Sequence, residues 1–378
     1  MRVPRSNARL ACCLAALAAL VLTLCGTPAR ADDGTHGWGA RYPEPFFNGN
    51  VGDPSVTMVG KRMVVVATGP QINRAYKDPG RPWRYQQPVL THRPKWAIAE
   101  GGIWAADIAK VGRRWVLYYA VPVAGLGDFG RCIGVAVAKK ALDSFKPVGK
   151  RPLVCPSAAL VPTAQDPVVT TPDLPSRGVI DPSLYREGKQ NYLLYKTDGK
   201  PSSIRLLPLS KSGKRVRTGQ DPANPSVELV RSEGVIENPV LARKAGAYYL
   251  FASEGDFARC SYQQTWRQSA SLTDWSLAVP TVLLDSTITQ GLCGPAGGDV
   301  VKHKGRTTLY FHGWVRLHSS KPKGMNYWAW NGGEKYGRRA MYAARLTFPG
   351  GVPTVKKYLT RHGPAAPQGV PMRVPAPY

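Results

Sequence analysis

The segment Arg177–Gly199, RGVIDPSLYREGKQNYLLYKTDG, decides the fold. Asp181 lies between an apolar pair and a proline. A basic, glycine-containing turn follows, and then an apolar and aromatic run with the composition of a β-strand. The same order returns four more times. GDPSVTMVGKRMVVVATG carries Asp53, WAADIAKVGRRWVLYYA carries Asp107, ENPVLARKAGAYYLFASEG begins with Glu237, and GGDVVKHKGRTTLYFHG carries Asp299. Successive acids are 54, 74, 56 and 62 residues apart. A repeat of this length in a β-rich chain is that of a propeller, whose blades are four-stranded sheets around a central channel. Five copies predict an all-β, five-bladed β-propeller, with the acids gathered around one mouth. The competing arrangement, a pair of β-sandwiches with Asp-Pro as loop punctuation, does not account for the regular step from acid to strand.

The rest of the chain frames this repeat. Glycine and proline total 73 of 378 residues, and no apolar 3.6-residue period runs beyond a few turns. Residues 1–31 join a basic segment, an apolar run and a small-x-small end at Ala29-Arg30-Ala31. This is the layout of a secretory signal peptide, so a secreted, extracellular protein is expected, without stable membrane insertion. Cys132, Cys155, Cys260 and Cys293 remain after its removal. Four cysteines in an oxidising compartment predict two disulfides, read as the chain neighbours Cys132–Cys155 and Cys260–Cys293. No CxxC occurs, which disfavours zinc. The expected organisation is a lead-in over 32–45, a propeller over 46–356 and a proline-rich tail over 357–378.

The formal charge is +27, and +23 without the four arginines of residues 1–31. The basic residues are scattered and no nucleic-acid motif accompanies them. They favour weak attraction to anionic surfaces, not nucleic-acid binding. Neighbouring acids raise one another's pKa, so a ring of them supplies one protonated and one ionised member, as glycoside hydrolysis requires. Trp96, Trp104, Tyr118, Tyr119 and Trp314 lie near the acids in sequence and are candidates to stack on sugar faces or to fill the gaps between blades. No GxSxG occurs and no DxDxDG calcium loop is present.

Over residues 45–355 the motifs resemble, in order, those of glycoside hydrolase family 43, five-bladed propellers that cleave arabinan, arabinoxylan and xylo-oligosaccharides. GDPS resembles the first-blade motif, and WAAD the second-blade WAPD motif with Ala106 in place of proline. IDPS resembles the third-blade motif, IENP ahead of YYLF the fourth, GPAGGDVV…YFHGW the fifth, and YGRRAMYAARLTFPGGVP the closing signature. The resemblance implies Asp53 as general base, Glu237 (in preference to Glu233) as general acid, and Asp181 as the residue that tunes the acid. It implies a structural Asp107, and His312 as an orienting or packing residue near the channel. Trp104, Trp96 and His312 are the substrate-binding candidates. Family members with a central ion commonly carry a histidine after Gly-Pro-Gly, where this chain has Gly297, so no Ca²⁺ held through that position and no cofactor is expected. The expected activity is inverting hydrolysis of arabinofuranosyl or xylosyl linkages by a monomeric enzyme acting on poly- or oligosaccharide. The alternative is a non-catalytic propeller that binds polysaccharide at a cell surface.

Overall fold

Five tight turns start the five sheets. In the first three repeats a glycine leads the turn, with Gly60, Gly112 and Gly188 at φ 64°, 60° and 57°. In the last two both central residues, Ala245-Gly246 and Lys304-Gly305, have positive φ. Two-residue turns of these kinds match the twist of the strands that they join. The computed structural model describes residues 43–161, 174–217, 226–316 and 337–360. The expected signal segment, the first 11 residues of the expected lead-in and the tail from Arg361 lie outside the described residues.

Each turn opens a four-stranded antiparallel sheet. Blade I holds β1 (Ser55–Val59), β2 (Arg62–Ala67), β3 (Asn73–Lys77) and β4 (Arg84–Tyr85). Blade II holds β5 (Trp104–Val111), β6 (Arg114–Pro122), β7 (Arg131–Ala138) and β8 (Lys146–Pro147). Blade III holds β9 (Val179–Glu187), β10 (Gln190–Thr197), β11 (Ser202–Leu209) and β12 (Val227–Ser232). Blade IV holds β13 (Ile236–Lys244), β14 (Ala247–Glu254), β15 (Gln263–Ser269) and β16 (Thr281–Leu284). Blade V holds β17 (Cys293–His303), β18 (Arg306–Arg316), β19 (Gly337–Thr347) and β20 (Thr354–Tyr358). The last strand thus ends two residues beyond the boundary expected at 356.

The first strands touch in a closed circle, β1 to β5 to β9 to β13 to β17 and back to β1. The fold is a five-bladed β-propeller. Its core is divided among the gaps between blades. Blades I and II share one cluster that includes Ile72, Trp96, Ile108 and Leu117. Equivalent clusters lie between II and III, III and IV, IV and V, and V and I. Each sheet buries both faces against neighbours, so the strands read as nearly continuous apolar runs, as in Val64-Val65-Val66-Ala67 of β2, all wholly buried. The ring closes where Phe47 pairs with Met341 and the Val51 N–H donates to the Arg339 carbonyl at 2.9 Å.

Both disulfides form as the cysteine order suggested. Cys132–Cys155 ties β7 to the segment that follows β8, and Cys260–Cys293 ties the loop before β15 to the start of β17.

Candidate active site

The channel mouth is built from one triplet per blade: Asp53-Pro54-Ser55, Ala105-Ala106-Asp107, Asp181-Pro182-Ser183, Asn238-Pro239-Val240 and Gly297-Gly298-Asp299. The first member of every triplet is left-handed, with φ of 57°, 41°, 55°, 49° and 63° in turn. Left-handed backbone costs an L-residue roughly 1–2 kcal/mol, and only Gly, Asn and Asp adopt it routinely. Four of the five positions use those types. In blades II to V the ladder slips beside this residue, and such a bulge re-aims the neighbouring side chain.

This register corrects the single ring of acids expected from the sequence. Asp53 and Asp181 share one level with Ala105, Asn238 and Gly297. Glu237 lies one residue before that level. Asp107 and Asp299 lie two residues after it, farther along the inner strands, where they latch blades together. Asp107 accepts the Ser55 hydroxyl at 2.6 Å and the Leu184 N–H at 2.8 Å, from the blades on either side. Asp299 accepts the Val56 N–H at 2.7 Å. Burial raises both carboxyls, that of Asp299 to about 7, and these bonds only partly offset it.

Asp53 is surrounded by donors. Thr68 Oγ1 donates to Oδ2 at 2.7 Å, Arg339 Nη1 to Oδ1 at 3.0 Å, and Asn238 Nδ2 to Oδ1 at 3.4 Å. Burial alone would raise its pKa, but the Arg339 guanidinium and the Thr68 hydroxyl oppose it, and the carboxyl lies below its ordinary value. Glu237 is gripped at both oxygens. Lys196 Nζ meets Oε2 at 2.7 Å, and Tyr262 Oη lies 2.7 Å from Oε1. Glu233 lies exposed in the preceding turn. Asp181 is buried and accepts the Asn238 N–H at 2.8 Å. Its pKa rises well above normal, through burial first and then the charge of Glu237, against the opposing pull of Lys196. Lys196 also pairs with Asp198 at 3.2 Å. Burial would lower its pKa, but Glu237, Asp198 and Asp181 together raise it.

Other expected residues are placed differently. Trp96 is 2% exposed and belongs to the core between blades I and II, not to a sugar platform. Tyr118 and Tyr119 are wholly buried. Trp314 is buried, with its indole N–H donated to the Phe257 carbonyl at 2.8 Å. Trp104 stays half-buried directly before the left-handed Ala105, with the Arg131 guanidinium stacked 3.0 Å from its ring centroid. His312 is wholly buried and so is not a surface for substrate. Its Nδ1 accepts the Asp53 N–H at 3.1 Å, its ring stacks on Tyr262, and its Nε2 has no hydrogen-bond partner. Burial, followed by Arg339, lowers its pKa to about 3, so the ring is neutral.

Sequence reasoning missed Lys196, Tyr262, Arg339, Thr68 and Asn238. Only Asn238 left a usable signal: alignment on the prolines of GDPS, IDPS and ENPV, instead of on the acids, places it beside Asp53 and Asp181.

Position 297 offers no ligand to a central Ca²⁺. A β-carbon on Gly297 would overlap Cε1 and Nδ1 of His312, so the imidazole fills the space that a side chain at 297 would need. The Asp107 and Asp299 carboxylates are engaged between blades. Among the described residues no group of three or more His, Cys, Asp or Glu is placed to hold a metal.

The sequence model of glycosyl hydrolases family 43 matches residues 42–353. No curated protein sequence matches the chain. Among solved structures, the α-L-arabinanase of Cellvibrio cellulosa complexed with arabinohexaose is 21% identical at a TM-score of 0.58, over 82% of this chain and 96% of its own. An exo-1,5-α-L-arabinanase from a bovine ruminal metagenomic library is 18% identical at 0.59, over 82% and 97%. An endo-1,4-β-xylanase from Bacteroides thetaiotaomicron is 17% identical at 0.58, over 85% and 98%. These likenesses carry the fold. The family match reaches all five blades and includes every mouth triplet, and the chain therefore belongs to glycosyl hydrolase family 43 and is a glycosidase.

Proposed function

We propose that the protein is a secreted, inverting glycosidase acting on arabinofuranosyl linkages of arabinan or arabinoxylan, or on xylosyl linkages. Asp53 is the base, Glu237 the acid, and Asp181 the residue that sets the acid's charge state. The observation that carries this reading is the placing of the carboxylates at one mouth: the Asn238 amide nitrogen meets Asp53 at one end, its oxygen meets Tyr262, which also contacts Glu237, and its backbone N–H is held by the buried Asp181. Asp53 and Glu237 are separated by an amide and a phenol, which suits a site that must admit both a sugar bond and a water.

Water placed against Asp53 loses a proton to it as its oxygen bonds to the anomeric carbon. The bond from that carbon to the leaving oxygen breaks, and Glu237 gives this oxygen its proton. Exchange with solvent then resets both carboxyls. Trp104 at the mouth is the sugar-contacting aromatic. An arabinan or xylan substrate is supported by the arabinohexaose-bound arabinanase and by the xylanase that share the fold.

The test is hydrolysis of arabinan, arabinoxylan and aryl pentosides, with the product anomer followed by NMR. Asp53→Ala and Glu237→Ala should each lower kcat/KM by about 10²–10⁴-fold. Unchanged rates, or retained anomeric configuration, overturn the assignment.

A further inference from the structure

Cations that are scattered along the chain are collected by the fold at one end of the channel. From the left-handed residue at the mouth to the left-handed residue of the next turn is seven positions in every blade: Asp53 to Gly60, Ala105 to Gly112, Asp181 to Gly188, Asn238 to Ala245 and Gly297 to Lys304. At roughly 3.3 Å per residue, each turn lies about 23 Å from the mouth. The inner strands are locked level with one another, because Asp107 and Asp299 bond to Ser55, Val56 and Leu184, two or three positions past the left-handed residue of a neighbouring blade. The five turns therefore end on one face, opposite the mouth. Adjacent turns touch there: Arg186 Nη2 donates to the Lys110 carbonyl at 2.9 Å, and Arg243 Nη1 pairs with Glu187 at 2.8 Å.

Every turn puts an exposed cation at or next to its tip: Lys61, Arg113, Lys189, Lys244 and Lys304. Five positions past the left-handed mouth residue, four blades add another, Lys110, Arg186, Arg243 and Lys302, all exposed. Within these turn segments (58–62, 110–114, 186–190, 243–247 and 302–306), all of them described, the single acid is Glu187. Arg243 and the Tyr248 hydroxyl already hold it. The mouth, by contrast, sets Arg339 and Lys196 against Asp53, Glu237 and Asp198. The molecule is thus polarised along its channel, with a positive ring at the end away from the chemistry.

Cations fixed on five separate turns cannot converge on one small anion, so the ring suits a polymer whose negative charges are spread out. Its chemistry narrows the class. Four of the five tip cations are lysines, compact hydrated charges suited to diffuse pairing. Arg186 and Arg243, whose forks would suit bidentate phosphate, direct donors to acceptors within the protein. The tips Gly60-Lys61, Gly112-Arg113, Gly188-Lys189, Ala245-Gly246 and Lys304-Gly305 offer no ring to stack on a base and no large apolar group to enter a bilayer. We propose that this face is a second binding site, for an acidic polysaccharide with repeated carboxylates, that holds the protein with its catalytic mouth turned outward. The proposal goes beyond the roles given to Asp53 and Glu237 and does not depend on them.

The experiment measures binding to polygalacturonate by titration calorimetry over a salt series. The turn variant carries Lys61→Gln, Lys189→Gln, Lys244→Gln and Lys304→Gln. A control variant of the same net charge carries Lys95→Gln, Lys146→Gln, Lys356→Gln and Lys357→Gln, at exposed positions off the ring. The wild type should bind at low ionic strength and release steeply between about 50 and 200 mM salt. The turn variant should bind about 10²–10³-fold more weakly, at about fivefold per lysine lost near an anionic surface, and the control variant close to wild type. Hydrogen exchange with the polymer present should protect the five turns and leave the mouth triplets unchanged. No binding by the wild type, equal weakening in the two variants, or protection at the mouth in place of the turns overturns the proposal. Tighter binding to phosphatidylglycerol vesicles or to DNA at equal charge concentration overturns the choice of polysaccharide as partner. None of these readouts needs turnover, so Asp53→Ala should bind as the wild type does, and a failure of the acid and base assignment is seen separately.

Discussion

Arg339, on the third strand of the last blade, donates from Nη1 to Oδ1 of Asp53 at 3.0 Å across 286 residues of chain. A β-carbon on Gly52 would overlap its guanidinium, so the glycine before Asp53 is what lets the arginine reach it. Ring closure and the electrostatic setting of Asp53 are therefore one structural event.

Arg339→Met removes a principal influence that holds the Asp53 pKa down. The acid limb of kcat/KM should move to higher pH, since the base would then ionise only there. A charge-assisted bond contributes about 1.5–3 kcal/mol, so the loss at neutral pH should be about 10–100-fold. Steady-state profiles check both. The sign carries over to stability. A carboxyl depressed in the folded state stabilises above its unfolded pKa, and that contribution is lost as pH falls through the folded value. Wild type should therefore lose more stability than Arg339→Met across that acid window.

Gly297→Ala should disturb both fold and chemistry. The residue has φ +63° and its added β-carbon would meet the His312 ring. Overpacking of this kind costs about 1–3 kcal/mol, visible as a lower urea midpoint. The displaced imidazole would also release the Asp53 N–H, so activity should fall even where the protein stays folded.

Asp299 supplies the opposite pH signature. Its pKa is raised to about 7, chiefly by burial. Between the ordinary carboxylate range and pH 7 the folded protein holds a proton that the unfolded chain has lost, so this group makes stability fall as pH rises through that window. Asp299→Asn keeps an acceptor for the Val56 N–H and removes the titration. Its stability relative to wild type should rise from pH 4 to about 7 and then level off, as denaturant unfolding at a series of pH values would show.

The two tryptophans should separate stability from binding. Trp96→Ala empties a core site and should cost about 3–5 kcal/mol of stability with KM little changed. Trp104→Ala should raise KM about tenfold, equivalent to roughly 1.4 kcal/mol, and leave the unfolding midpoint nearly unmoved. Thermal unfolding and saturation kinetics on one set of preparations decide the matter.

Replacing Cys260 and Cys293 by serine frees the loop that leads to Tyr262. Native disulfides typically stabilise by about 2–4 kcal/mol. The double serine variant should lose stability of that order and activity beyond it, because Tyr262 positions the acid.

The chain order alone was enough for the propeller, because each blade repeats a local signal: a kink residue at the hub, a two-residue turn and an apolar strand. Asp53, Asp181 and Glu237 were legible for the same reason, each lying within one such signal. The level of each acid along the channel was not legible. A left-handed residue and its bulge shift register by a residue or two, so Asp107 and Asp299 share the pattern of Asp53 but serve as latches between blades. Nor could spacing reveal Lys196, Tyr262 and Arg339. They lie on second or third strands or at their approach, carry no hub signal, and reach the mouth only because neighbouring blades pack face to face. Local sequence determined which strands form and which residues kink at the hub. Contacts between blades, made only once the ring closes, decided which donors surround each carboxylate.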